Sequence, residues 1–513
     1  MTQEELLVVI EQARLRGQTK LDLSGQSLEE LPPEMEQLIN LQSLNLRKNR
    51  LIRFPESIKA LSNLSFLDLQ ENYLITLSDS IGQLRNLQSL DLQENCLTTL
   101  PESIGELFRL SSLQLTRNQL TELPESIGQL RNLESLNLHE NYLTTLPESI
   151  GELFRLSSLQ ITRNQLTELP ESIEWLVSLS YLDLQHNHLI NLPDTIGQLS
   201  NLRSFSLSDN QLEILPESIG DLTNLVGLSV ANNQLKTLPE SIGKLHKIAY
   251  LNLSGNQLEN LPESIGELTD LTSLELSNNR ITALPESIGQ LKNLTSLASS
   301  NNQLTVLSES IGQLTNLTTL RLYINGLKSL PNSMAQLINL EELSLGYNQL
   351  TTLPDWIIQF TKLTELSLIA NDSIVLLDQL GQLTNLTSLD LSGQHLTIVP
   401  SWIRRLTNLT CLSLSDNQLT TLPDWIGELT QITALHLWTN QLAILPDAIG
   451  ALTNLTRIDL SGNQLVKLPE SMGQLINLVS LDIGHNRLTM LPESIARLPN
   501  LTDLKGKHTN FIP

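Results

Sequence analysis

The sequence predicts an α/β solenoid, a horseshoe or superhelix of about 21 repeats of 23 residues, with a concave parallel β-sheet and a short N-terminal capping helix. Three observations predict it. An asparagine recurs from Asn49 to Asn486 at intervals of 23 residues, or 46 where Gln394 takes its place, and Gln26 fills the first position. Leucines keep fixed offsets from that amide. The segment "LPESIGELFRLSSLQ" stands at 100–114 and again, unchanged, at 146–160, two units later. A 513-residue chain would ordinarily divide into about three compact domains, because single cores stop growing near 250–300 residues. A stacked array has no such ceiling.

The first element is expected over residues 1–17. Thr2 and Glu5 match a capping box, and Leu6, Leu7, Ile10, Ala13 and Leu15 make one apolar helical face before Gly17. This helix should cover the open end of the first unit. Residues 18–504 are the repeats. In "LESLNLHEN" (133–141), Leu136 and Leu138 alternate with polar neighbours, the period-two sign of a short strand with one buried face. Asn141 then turns the chain inward, where backbone groups lack sheet partners. A side-chain amide donates and accepts, so stacked amides should form a ladder. The Leu-Pro pair that follows in most units should hold the return segment extended, and the Ile and Leu of "SIGEL" should point back into the core. Residues 505–513 form a short tail that either leaves apolar surface of the last unit exposed or uses Phe511 and Ile512 as a poor lid. Ser299, Ser78, Ser308, Ser373 and Leu377 depart from the pattern, through local loosening or, alternatively, a bend.

The pattern resembles the leucine-rich repeat over residues 18–504. The 23-residue unit is of the intracellular type, similar to the arrays of bacterial, especially cyanobacterial, Roco proteins and of plant Ras-group proteins, the first unit "TKLDLSGQSLEELPPEM" (19–35) included. No GTPase module accompanies it, so GTP binding is not implied. The resemblance implies a non-enzymatic scaffold that binds a protein on its concave face, in intracellular signal transduction. The alternative is a secreted or surface-exposed recognition or effector protein.

Net charge is −24 with a pI near 4.7, a field that repels phosphate backbones and anionic lipid. Neither nucleic acid nor membrane is an expected partner, and a protein or peptide with a basic patch is. No apolar run reaches ~18 residues and no basic leader precedes Leu6–Ile10, so a cytoplasmic location is expected. Cys96 and Cys411 are too few for a disulfide framework. Phosphate loops, nucleophile elbows and zinc motifs are missing. His186 and His188 flank a ladder amide, a poor metal pair. No cofactor, metal or catalytic residue is assigned.

Side chains between the strand leucines should project from the sheet. Aromatics and arginine anchor interfaces, because they bury much area at modest entropic cost. The candidate partner-binding residues fall in two regions: Phe66, Tyr73, His139, Tyr142, Tyr181 and His186, then Arg321, Tyr323, Tyr347, His436 and Trp438. The duplicated unit pairs, 81–127 and 127–173, differ only at Gln88/Glu134, Asp91/Asn137, Gln93/His139, Cys96/Tyr142 and Leu115/Ile161. Their identical letters are read as those that build the coil.

Overall fold

The structure, a computed structural model, describes residues 1–371, 374, 375 and 377–506; the readings of Ser373, Phe511 and Ile512 lie outside the described residues. The chain forms two compact units, Met1–Leu258 and Glu259–Pro513.

The first unit opens with the helix α1 (Gln3–Leu15). The Thr2 hydroxyl accepts the Glu5 amide at 3.2 Å and the Glu5 carboxylate accepts the Thr2 amide at 2.8 Å, the reciprocal box expected there. Leu6, Ile10 and Ala13 are buried, whereas Leu7 and Leu15 are exposed. The apolar face is thus narrower than the sequence suggested, because at 3.6 residues per turn Leu7 and Leu15 are rotated away from the line of Leu6, Ile10 and Ala13. Eleven three-residue strands follow, from Lys20–Asp22 to Tyr250–Asn252. They pair in parallel with a register of one repeat, as in Leu21 with Leu44 and Leu67 with Leu90. The central residue of each strand is fully or almost fully buried.

Past each strand the ladder amide enters the core as expected. Asn187 donates through Nδ2 to the carbonyls of Ile161, Leu184 and Gln185 at 2.9, 3.0 and 3.3 Å, and its Oδ1 accepts the Leu166 amide at 3.0 Å. It thereby ties consecutive units together at a place where water cannot serve.

The return segment differs from the expectation of a wholly extended stretch. Only the proline is extended, Pro101 having φ −74° and ψ 153°, and a tight 3-10 turn follows it at Glu102–Glu106, closed by the Leu107 amide on the Ile104 carbonyl at 3.1 Å. A three-residue hydrogen-bond step narrows the outer side, so successive turns crowd together. A Cβ on Gly197 would lie 2.6 Å from the Ser218 carbonyl oxygen of the next turn. Glycine is required there by proximity and not by its backbone angles. Gly197→Ala should therefore destabilise the fold by about 1–3 kcal/mol, as overpacking does. Urea denaturation would measure it, and an unchanged midpoint would mean that the outer turns are free to separate.

The second unit repeats the plan with eleven strands from Ser273–Glu275 to Asp503–Lys505. The last strand pairs with Ser480–Asp482 and runs one residue into the segment expected as tail. Its off-pattern residues are compensated locally. Ser299 is fully buried and its hydroxyl accepts Asn302 Nδ2 at 3.3 Å. Ser308 accepts the Ser310 amide at 3.0 Å, a side-chain cap in place of a proline, and Ser78 of the first unit does the same with Ser80 at 3.2 Å. Leu377 keeps the extended backbone that proline would impose.

Candidate partner-binding surface

Two kinds of position project on the strand side: the outer residues of each strand, and the residues just before and after the ladder amide. In the first unit the position preceding the amide is left-handed, with φ of 55° at Glu71, 54° at Glu94, 55° at Arg117, 54° at Glu140 and 56° at Arg163. These side chains recur at one-repeat intervals, and those from Glu94 to Arg163 form an ion-pair ladder, with a separate pair from Arg47, two residues before its amide, to Glu71. Arg47 meets Glu71 at 2.6 Å, Arg117 meets Glu140 at 2.7 Å and Glu94 at 3.4 Å, and Arg163 meets Glu140 at 3.0 Å. The Arg117 guanidinium holds the Glu140 carboxyl below its ordinary range.

The first candidate region is distributed along these ion pairs. Phe66 and Tyr73 are exposed near their start. Tyr142 follows Tyr73 three repeats later, ~14 Å at one strand spacing per repeat. His139 is half-buried with Nε2 3.3 Å from Glu140, and His186 lies 3.6 Å from Asp209. Tyr181 is half-buried and donates its hydroxyl to Asp183 at 3.1 Å. Burial, then the Asp183 charge, pushes the Tyr181 phenol up. His139, Tyr181 and His186 are thus already engaged, and Phe66, Tyr73 and Tyr142 are the groups that project.

Acids at the last strand position do more than solvate the face. Asp68 and Asp91 face each other across adjacent strands and accept the amides of Gln70 and Gln93, two residues on, at 2.9 and 3.0 Å. Burial pushes both carboxyls above the ordinary range. A carboxyl that binds its proton more tightly when folded contributes stability at low pH and loses it as pH rises through the folded pKa. Asn137 already makes the same turn with the His139 amide at 3.0 Å. Asp68→Asn with Asp91→Asn should therefore raise the melting temperature at pH 7, an advantage that fades below about pH 4. Thermal melts across that range check it, and a lower melting point at pH 7 would contradict it.

The second unit brings Tyr323 and Tyr347 together, Tyr323 standing two residues past the strand residue Arg321. Arg321 holds Glu342 through two bonds of 2.6 Å each. The Tyr323 and Tyr347 rings meet edge to face with centroids 5.1 Å apart, a favoured arrangement. A Cβ at Gly346 would sit 2.9 Å from Tyr323 Cδ2 and would also strike Ile369, so glycine lets the ring lie on the backbone. Ile324 and Tyr347 are left-handed, with φ of 52° and 50°. For β-branched Ile324 that conformation is a true outlier. His436, half-buried, and Trp438, exposed, stand apart from this cluster. Trp438 is five repeats beyond Tyr323, ~24 Å at one strand spacing per repeat. No group of three His, Cys, Asp or Glu among the described residues could hold a metal, and no described helix is long and apolar enough to cross a membrane.

This architecture has known counterparts. The family described as "Leucine-rich repeat region" matches residues 102–180, 171–249, 232–306 and 297–394, and that described as "Leucine rich repeat" matches 17–74, 62–120, 384–442 and 451–511. The chain belongs to the leucine-rich-repeat family. Among solved structures it is similar to the Leptospira interrogans leucine-rich-repeat protein LIC12759, at 33% identity and a TM-score of 0.54 over 92% of this chain and 98% of that one. It is similar to the plant peptide hormone receptor RGFR1, solved in complex with RGF2, at 27% identity and 0.66 over 97% and 92%. YopM from Yersinia enterocolitica WA-314 matches at 26% identity and 0.59 over 98% and 94%. No curated protein matches the sequence. Leucine-rich repeats generally mediate protein–protein interaction, which is the coarse function of this fold.

Proposed function

We propose that this leucine-rich-repeat chain is a non-enzymatic scaffold of the cytoplasm, acting in signal transduction, whose strand face binds a protein or peptide partner bearing a basic patch. The observation that carries it is the Tyr323–Tyr347 platform, two rings held against each other over Gly346, with Arg321, fixed on Glu342, two residues before the first of them in sequence. A surface ordered before the partner arrives loses little entropy on docking. The acids that act on this platform, Glu275, Glu342, Glu365 and Asp390, favour a cationic partner. That RGFR1 was solved with RGF2 supports a peptide or protein as the occupant.

Affinity capture with the intact chain tests the reading. Tyr323→Ser with Tyr347→Ser, or Tyr73→Ser with Tyr142→Ser, should lose a captured partner, and raising the salt should weaken its recovery. Retention of every partner by both variants would remove the strand face from consideration. A second reading, recognition outside the cell, is favoured by the likeness to a peptide hormone receptor. Recovery of the chain from culture medium without lysis would decide for it.

A further inference from the structure

The letters shared by the two copies of "LPESIGELFRLSSLQ" do not all build the coil. Phe108 and Phe154 are 47% and 42% exposed, and the arginines after them are exposed as well. They lie where the chain passes from the 3-10 turn towards the next strand, on an edge away from the candidate residues described above.

That edge carries a second amide ladder. Asn86 donates to the Ser62 carbonyl at 2.7 Å, Asn132 to Phe108 at 2.6 Å, Asn201 to Val177 at 2.8 Å and Asn224 to Ser200 at 2.8 Å. Arg109 and Arg155 occupy the same ladder position and break it. The carbonyls of Arg85 and Arg131 consequently receive no hydrogen bond among the described residues. Two consecutive departures, an exposed phenylalanine and a lost ladder amide, thus occur together and occur twice.

The charges along this edge are uneven. Arg85 pairs with Glu106 at 2.8 Å and Arg131 with Glu152 at 3.2 Å, and Arg85 also lies 5.9 Å from the Phe108 ring centre. Arg109 and Arg155 form no ion pair among the described residues, in a chain whose net charge is −24. Two uncommitted guanidiniums, each beside an exposed ring, recur two repeats apart, ~10 Å at one strand spacing per repeat. A left-handed extended peptide has about three residues per turn and rises about 3.1 Å per residue, so side chains three apart share a face ~9 Å apart.

We propose that the Phe108–Arg109 and Phe154–Arg155 pairs form a docking edge for an acidic peptide in that extended conformation. Two of its carboxylates, three residues apart, take the two guanidiniums, and its apolar residues pack on the two rings. Arginine suits this role because its planar fork matches a carboxylate through two parallel bonds. The edge rests on the interaction-scaffold reading but uses none of the strand-face residues.

The test uses the full chain and a fluorescein-labelled peptide with glutamates at every third position separated by proline and leucine, followed by fluorescence polarisation. A version with lysine for glutamate is the control. Saturable binding of the glutamate peptide alone is expected. Arg109→Asn with Arg155→Asn should weaken it at least tenfold while leaving the melting temperature equal or higher, because each asparagine restores a ladder bond. Phe108→Ser with Phe154→Ser should weaken it too, and Tyr323→Ser with Tyr347→Ser should leave it intact. Equal binding of the lysine peptide, or undiminished binding by the double asparagine variant, would overturn the proposal. Loss of binding in the Tyr323 and Tyr347 variant would place the peptide on the strand face instead, which also overturns it.

Discussion

Asn187→Ala should cost about 2–4 kcal/mol, because it strands the buried Leu166 amide, at about 1–3 kcal/mol, and takes one of two donors from the carbonyls of Ile161, Leu184 and Gln185, which keep Asn164 Nδ2, Asn210 Nδ2 and the Arg163 amide. The residue is 3% exposed, so water cannot take over. The loss should be concentrated at one place, since each repeat leans only on its neighbours. Hydrogen exchange should therefore show the Leu166 amide, which Asn187 Oδ1 accepts at 3.0 Å, losing protection first. Two further substitutions separate the causes. Asn187→Asp keeps an acceptor but sets a carboxylate against the carbonyls of Ile161, Leu184 and Gln185, so at pH 7 it should be at least as damaging as alanine. Asn187→Gln should be milder. Gln394 already stands at a ladder position and still donates to the Leu368 carbonyl, although its Oε1 is buried without a partner among the described residues. If alanine and glutamine behaved alike, the ladder would be a matter of packing and not of hydrogen bonding.

The ladder was legible because its residue type is nearly unique in doing both jobs: a buried turn that needs a donor and an acceptor in one short side chain, at one fixed period, asks for asparagine. The capping box was legible for the same reason, local spacing naming local bonds. Other features carry an equally regular signal that was not read. The edge amides Asn86, Asn132, Asn201 and Asn224 fall at multiples of one repeat, but a template built on leucines assigns that position to any residue. The glycine before each outer Gln or Glu is another such feature. Its cause, the carbonyl of the next turn, belongs to another repeat and appears only when turns are stacked. The ion pairs from Arg47–Glu71 to Glu140–Arg163 escaped similarly, because their members are 23 or 24 residues apart and meet only across repeats. Exposure of the aromatics was largely read correctly. Tyr323 and Tyr347, read as one region, do meet, whereas His436 and Trp438 of that region stand apart and Tyr181 spends its hydroxyl on Asp183.

Leu6→Ala with Ile10→Ala should unzip one end of the chain and leave the rest standing. Both side chains are buried by the first repeat, at 0% and 2% exposure, and each truncation of this kind costs about 2–5 kcal/mol. The Thr2–Glu5 box adds only a small local term, so α1 could not remain docked on Ala13 alone. Once it lifts, Leu21 and Leu23 lose the cover they share, and the strand Lys20–Asp22, paired only with Ser43–Asn45, is left with no cover at its open end. In a stack held by nearest-neighbour contacts, unfolding should spread inward only until the interface terms outweigh the gain in chain entropy. Hydrogen exchange should accordingly rise in Lys20–Asp22 and Ser43–Asn45 and stay at its original level in Ser135–Asn137. The distance over which protection recovers measures how many repeats act together. A uniform loss of protection through Tyr250–Asn252 would mean that the first unit melts as one body, with α1 the contact on which all of it depends.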